Sequence, residues 1–466
     1  MKKFLTLTGL MLLVAATAMA GVGEDRLFVQ PNATFATGSP TTTNNDDSCD
    51  IALQPAATLL LPYFEVEVGE ARNTAADTNF TIVNTSPLPQ IAHITLWTDW
   101  SFPVIDFNIF LTGYDVQGIS LYDLIVRGQI PPTSNATKTG SLSAANSANP
   151  VHYNRGTCAA LPGPIPSDLA AAIRSALTIG TYPGFGCTVA VGGNHPTIAT
   201  GYATIDVARV CGTGLPTQES YFLQEIAFDN VLTGDYMYIN PDAATGNFAG
   251  ATPLVHIRAI PEGGIAGEFP TNLPYTFYDR YTSATNENVD RRQPLPGTFA
   301  ARYIAAGETF DTDFQIWREG PTGPPSCTST TATNAVRNNA NIAFTNIVRF
   351  DESENPMTRQ GGVIISPAPA DLGTNEAFRV NIGDSLMPGD FTGTADLGGW
   401  VYMNLDNGGS AAYSAGRPAG TSQNWVTVSM SAEGRYSVLF DATMLGNGCS
   451  AAPEAGVIGP AINVTP

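Results

Sequence analysis

Six cysteines carry the clearest chemistry in the chain: Cys49, Cys158, Cys187, Cys211, Cys327 and Cys449. None sits in a C-x-x-C pair, so neither a zinc ribbon nor a thioredoxin-like redox centre is written here. An even count behind an export signal predicts disulfides. A Pro-, Gly- and charge-rich stretch at 261–297 places four cysteines before it and two after it. Pairing within each part predicts Cys327–Cys449. The other four allow three connectivities, and Cys158–Cys187 across a helical insertion, with Cys49–Cys211, is preferred. Each bridge would contribute about 2–4 kcal/mol.

The histidines, His93, His152, His195 and His256, are widely spaced and form no H-x-H or H-E-x-x-H set. His195, on a loop after Cys187, is the best placed for acid–base work, but no G-x-S-x-G element accompanies it. Asp46-Asp47, Asp351-Glu352-Ser353-Glu354-Asn355 and Asp406-Asn407-Gly408-Gly409 could offer oxygen ligands, so calcium is the one cofactor to consider. None has EF-hand spacing, and solvated turns are the simpler reading. Trp97 and Trp100, with Phe102, cluster at a strand end before Pro103. They are the candidate ligand-binding residues if their rings stack on sugars at a sheet rim. The competing and favoured reading is packing in the core or between domains.

Gly383-Asp384-Ser385-Leu386 spells the nucleophile block of the GDSL hydrolase family. The resemblance covers four residues and implies a Ser385 nucleophile. The family's block lies near the start of its domain, with the catalytic histidine far downstream. Here the last histidine, His256, precedes Ser385, and Met-Pro-Gly follows the block as a turn. The sequence therefore assigns no catalytic residue.

Composition removes further classes. Twenty-one basic residues face 41 acidic ones, a net charge of −20. Such a surface repels phosphate backbones and anionic headgroups, so no nucleic-acid partner is expected. Lys2 and Lys3, the apolar run Phe4 to Ala16 and Ala18-Met19-Ala20 have the form of a signal peptide, cleaved after Ala20. Gly21 follows the cut, so a lipoprotein signal is not expected, and the MKK start suggests a bacterial source. No later run is long enough for a membrane helix. Lys138 would then be the only lysine of the mature chain, which disfavours P-loop and Schiff-base chemistry.

The elements that must position these residues read as strands. ATLLLPYFEVEV, TNFTIVN, IAHITLWTDW and VIDFNIFLT are rich in β-branched and aromatic residues and separated by turn residues. They predict four consecutive strands of an antiparallel sheet. Phe80 with Ile82, and Phe107 with Ile109 and Leu111, put one face in the core. Leu59, Leu60 and Leu61 are continuous, as in a strand covered on both faces. Ser120–Gly128 and Ser167–Leu177 read as helices, each with a serine N-cap. Strands resume at 201–210, 220–228, 235–240 and 254–260. After the boundary they recur at 298–305, 312–319, 346–350, 361–366, 376–382, 399–405, 424–430 and 435–440.

The fold class expected is all-β: two antiparallel β-sandwich-like domains, the first with a short helical insertion. The division is a signal peptide at 1–20, a flexible arm at 21–48, a first domain at 49–260 with its insertion near 158–187, a linker at 261–297 and a second domain at 298–466. Asp77–Ile82 and Asp311–Ile316 share D-T-[ND]-F-x-I, the trace of an internal repeat.

The function expected is that of an exported, non-enzymatic structural or binding protein, secreted, periplasmic or at the cell surface, with a surface glycan or protein as partner. The alternatives are a secreted polysaccharide hydrolase with paired carboxylates and a calcium-dependent carbohydrate-binding module. Arg26-Leu27-Phe28-Val29-Gln30 is also a candidate for self-assembly by strand addition. It is tethered by about 18 polar residues that could span about 55–65 Å.

Overall fold

The computed structural model describes residues 51–130, 164–212, 214–241, 248–259, 276–281, 290, 292–305, 310–320, 326–328, 346–354, 375–383, 398–405, 423–432 and 436–445. Outside them fall the signal segment, the strand candidate 26–30, Cys49, Cys158, Cys449, His152, the strand expected at 361–366, the turns at 46–47 and 406–409, and Asp384, Ser385 and Leu386.

The described chain is mostly strand and forms four antiparallel sheets with few helices, an all-β fold of sandwich-like domains. In chain order the first strands are β1 (Thr58–Glu67), β2 (Asp77–Asn84), β3 (Gln90–Thr98), β4 (Pro103–Leu111), β5 (Val116–Ser120), β6 (Ile198–Ala208), β7 (Leu232–Asn240), β8 (Phe248–Pro253) and β9 (Val255–Ile257). They form one sheet in the order β4-β3-β6-β1-β9 and a second in the order β5-β2-β7-β8. Then come β10 (Thr298–Ile304), β11 (Phe310–Arg318), β12 (Asn346–Asp351), β13 (Ala377–Asn381), β14 (Gly398–Asn404), β15 (Asn424–Ala432), β16 (Tyr436–Asp441) and β17 (Thr443–Met444). Their sheets run β12-β14-β10-β17 and β13-β11-β15-β16.

The first four strands are therefore not a meander. Only β3 and β4 are hydrogen-bonded neighbours, while β2 belongs to the opposite sheet. Alternation marks which face of a strand is buried but not which strand lies beside it. The burial itself follows the side chains. β1 is almost continuously buried between β6 and β9, whereas β2 alternates between buried and half-buried.

The two halves repeat one topology. Leaving out β4, the order β3-β6-β1-β9 corresponds to β12-β14-β10-β17, and β5-β2-β7-β8 to β13-β11-β15-β16, with corresponding strands in the same sequence order. Side chains repeat with the strands. Thr78 Oγ1 accepts from Glu65 N at 3.1 Å and donates to Glu65 O at 2.9 Å. Thr312 Oγ1 does the same to Ile304, at 2.9 Å each way. Both threonines are the second residue of the shared D-T-[ND]-F-x-I run. Trp97, paired with Tyr202 across β3 and β6, stacks on it, and Phe350, paired with Trp400, stacks likewise. The chief local difference is a bulge between Leu61 and Phe64, one extra residue in β1 that β10 lacks.

Two short helices decorate the first half. In α1 (Leu121–Ile125) Ser120 caps as expected, accepting from Asp123 N, and Gly128 follows with φ +65°. In α2 (Ser167–Ile179) the N-cap is Pro166, and Ser167 is the first helical residue. The segment 220–228 is not a strand. Tyr221–Glu225 make a π turn in which adjacent Tyr221 and Phe222 are both buried, an arrangement a one-faced strand cannot give.

The described part of 261–297 is built into the core. Phe277, Tyr278 and Tyr281 are fully buried on a 3₁₀ turn at Phe277–Tyr281. Tyr281 meets Trp97 at 4.8 Å, and Phe277 meets Trp317 of β11 at 5.6 Å. One continuous buried cluster accordingly runs through all four sheets. Arg292, fully buried, is held by Asp206 at 3.1 Å, by Asp290 at 3.0 Å and by the Ala227 carbonyl at 3.1 Å. It also reaches the Thr58 hydroxyl. Tyr221 and Tyr278 donate to the other oxygen of Asp206 at 2.7 and 2.6 Å.

Candidate functional site

Of the sequence candidates, Trp97, Trp100, Phe102 and His195 come together at the seam between the halves, at the tight turn joining β3 to β4. Thr98 N donates to Phe102 O at 2.9 Å, and Ser101 closes the turn at φ +60°. A non-glycine residue holds that conformation only when its surroundings fix it. Here the hydroxyl is buried, donates to Glu376 of the second half and accepts from Tyr202 at 2.6 Å. The Tyr202 phenol also pairs with that of Tyr281 at 2.6 Å.

Asp99 ties three segments together. Its backbone carbonyl accepts from Glu376 N at 2.7 Å. One carboxylate oxygen accepts from Gly193 N at 2.8 Å, and the other lies 3.3 Å from His195 Nε2. The bond to Asp99 raises the His195 pKa above its ordinary value, while burial opposes the shift. That stabilisation is present below about pH 6.5 and fades as pH rises through the folded value. His195 is 39% exposed and Asp99 3%. An aspartate–histidine pair can serve as half of a proton relay. This one anchors the 191–195 loop to the turn. Asp99 and Glu376 meet at this turn but are both buried, and Glu65 and Asp313, one from each half, share the Arg379 guanidinium at 2.9 and 2.7 Å.

Trp97 is fully buried, with its indole N–H donating to Thr204 at 3.0 Å and its rings against Tyr202 and Tyr281. No face of it is open to a sugar. Trp100 is half-buried and donates to Asn375 of the second half at 2.9 Å. His93 and His256 are buried in strands. Glu352 of the acidic turn is bound by Arg302 at 2.6 Å, and among the described residues no group of three acidic, histidine or cysteine side chains could hold a metal.

The cysteine pairing is corrected. Cys187 is bonded to Cys327, with Cα atoms 4.8 Å apart, so neither Cys158–Cys187 nor Cys327–Cys449 forms. Pairing within each half failed as a premise because the halves share one packed seam. The 188–189 backbone also donates to Cys327 O at 2.9 and 3.1 Å. Cys211 is disulfide-bonded as well, to a cysteine outside the described residues.

Beside this bridge lies a feature that the sequence reading missed. Phe102, Tyr182 and Phe185 form a row, with centroids 5.6 Å apart for the first pair and 5.0 Å for the second. Phe185 is 47% exposed. The available signal was the run Tyr182-Pro183-Gly184-Phe185-Gly186-Cys187, an aromatic loop punctuated by glycines and closed by a cysteine.

Farther along the seam, Asp441 accepts from Trp425 Nε1 at 3.1 Å and from Thr427 at 3.3 Å, and Tyr236 of the first half donates to Thr427 at 2.9 Å. Burial pushes the Asp441 carboxyl up to about 6, from an ordinary value of 3.8. The folded chain thus holds a proton that the unfolded chain releases between those values. The associated stabilisation is complete below about pH 4 and lost above about pH 6. Asn at 441 keeps an acceptor and removes the ionisation. Asp441→Asn is expected to raise the unfolding free energy by about 2 kcal/mol near pH 7 and to leave it unchanged near pH 3.5. Urea unfolding at both pH values checks this, and an equal effect at the two would refute it.

No protein-family model matches the chain, and no curated protein or solved structure matches it.

Proposed function

We propose that the chain is an exported, non-enzymatic binding or structural protein of the cell surface or extracellular space. The observation that carries this reading is the Cys187–Cys327 bridge, which joins two repeats of one sandwich topology. A disulfide between halves persists in an oxidising compartment. The side chains best suited to catalysis, His195, Asp99, Ser101 and Glu376, are spent on joining segments. A rigid double module suits display and recognition, since a preorganised surface loses less entropy on binding.

The test is fractionation of the native producer with N-terminal sequencing, together with a hydrolase screen on wild type and His195→Ala. A mature chain starting at Gly21 outside the cytoplasm, with no hydrolase activity traceable to His195, is expected. Retention of Met1 in the cytoplasm would end the export reading, and an activity abolished in His195→Ala would end the non-enzymatic one.

A further inference from the structure

We propose that the Phe102–Tyr182–Phe185 row is a binding platform for an uncharged glycan, with Phe185 as its stacking residue. This rests on the binding reading above and adds the ligand class and the site.

The row is built as a platform. Gly184 and Gly186 sit at φ +85° and +75°, conformations that turn the chain sharply on either side of Phe185. A Cβ at either position would meet nothing within 4 Å, so the backbone on both sides of Phe185 is uncrowded. The loop's ends are fixed. At Gly180 a Cβ would collide with the Gly192 carbonyl at 2.1 Å, and Cys187 is bridged to Cys327. Tyr182 is pinned by its hydroxyl, which donates to Val104 O at 2.9 Å. Phe102 stands edge-on to Tyr182 and Tyr182 is tilted 32° against Phe185, so the two inner rings buttress the exposed one, which is offered at little ordering cost.

Polar groups lie near Tyr182. Asp106, half-buried on β4 two residues beyond Val104, is close enough for its charge to act on the Tyr182 phenol; burial, then that carboxylate, raises the phenol's pKa. Burial pushes Asp106 itself up to about 6, so near that pH its carboxyl both donates and accepts. Ser175 and Thr181 add a pair of exposed hydroxyls 2.6 Å apart. An exposed ring with hydroxyls and a carboxyl in the neighbouring segments suits a pyranose, which has a C–H face and a hydroxyl rim.

Charge and size choose among occupants. A net charge of −20 disfavours anionic polysaccharides. A protein partner needs about 800 Å² on each side, more than one half-exposed ring and two more buried ones supply.

The test is isothermal titration of the full mature protein with cellohexaose, laminarihexaose and chitohexaose, with hexagalacturonate as the anionic control and a polyproline peptide as the protein-like control. Binding of at least one neutral hexamer is expected. It should weaken at least tenfold in Phe185→Ala and persist in Phe185→Trp and in Leu88→Ala, a control at an exposed apolar residue of the β2–β3 connection, with unchanged melting temperatures. Absence of neutral-hexamer binding at millimolar concentration, equal binding by Phe185→Ala, or Phe185-dependent binding of the peptide alone would each overturn the proposal. A chain that is exported but binds no glycan refutes this inference and leaves the export reading standing. A cytoplasmic chain refutes that reading instead.

Discussion

Replacing Cys187 and Cys327 by serine is expected to lower the unfolding free energy by about 3–5 kcal/mol. The bridged residues are 140 apart in sequence, so the bridge closes a long loop in the unfolded chain. Loop-closure entropy grows only slowly with length, but at this separation it lies near the top of the usual range. The native seam keeps its other contacts in the double variant, including Trp100–Asn375, Ser101–Glu376 and the ion pair of Arg379 with Glu65 at 2.9 Å. The loss should therefore appear as a lower urea midpoint, with a steeper slope because the unfolded chain without the bridge is less compact. A loss under about 1 kcal/mol would show that the bridge adds nothing to a seam already fixed by packing.

Arg292→Met is the second large effect, about 3–5 kcal/mol of destabilisation or failure to fold. The guanidinium is fully buried between Asp206 and Asp290, with the Phe228 and Tyr278 rings each 5.5 Å from it. Methionine fills much of the volume but leaves two carboxylates in the core without their cation. Burial already pushes Asp290 above the ordinary carboxylate range, with the Arg292 charge pulling it back down. Adding Asp290→Asn to Arg292→Met should recover part of the loss, because one of the stranded charges is then gone. Thermal melts of the single and double variants check this. A double variant less stable than the single one would contradict the charge argument.

Much of the fold was legible because strands announce themselves locally. Phe80 and Ile82 of β2 are buried with half-buried neighbours, as their alternation placed them, and the leucine run of β1 is covered on both faces. Phe107, Ile109 and Leu111 are in the core, but so is Asn108 between them, because β4 is covered on both faces there. Partners were not legible. Nothing in TNFTIVN says that β2 crosses to the opposite sheet, since pairing is decided by the whole sandwich. Tyr221 and Phe222 carry strand-forming residue types, yet packing toward Asp206 drew the segment into a π turn. The shared D-T-[ND]-F-x-I run was the visible edge of a repeat whose other equivalences, such as Trp97–Tyr202 with Phe350–Trp400, keep aromatic character but not identity. At the seam, cysteine parity suggested bridges within each half, and parity carries no information about which loops meet in space. The Phe102–Tyr182–Phe185 row joins residues some eighty positions apart, a proximity created only when β4 and the loop after α2 come together.

The most direct measurement is a non-reducing peptide map of the protein recovered from the outside of its native producer. The account predicts a peptide pair joining Cys187 to Cys327 in a chain whose first residue is Gly21. Recovery of Cys187 and Cys327 as alkylatable thiols, or of either bonded to Cys158 or Cys449, would contradict it.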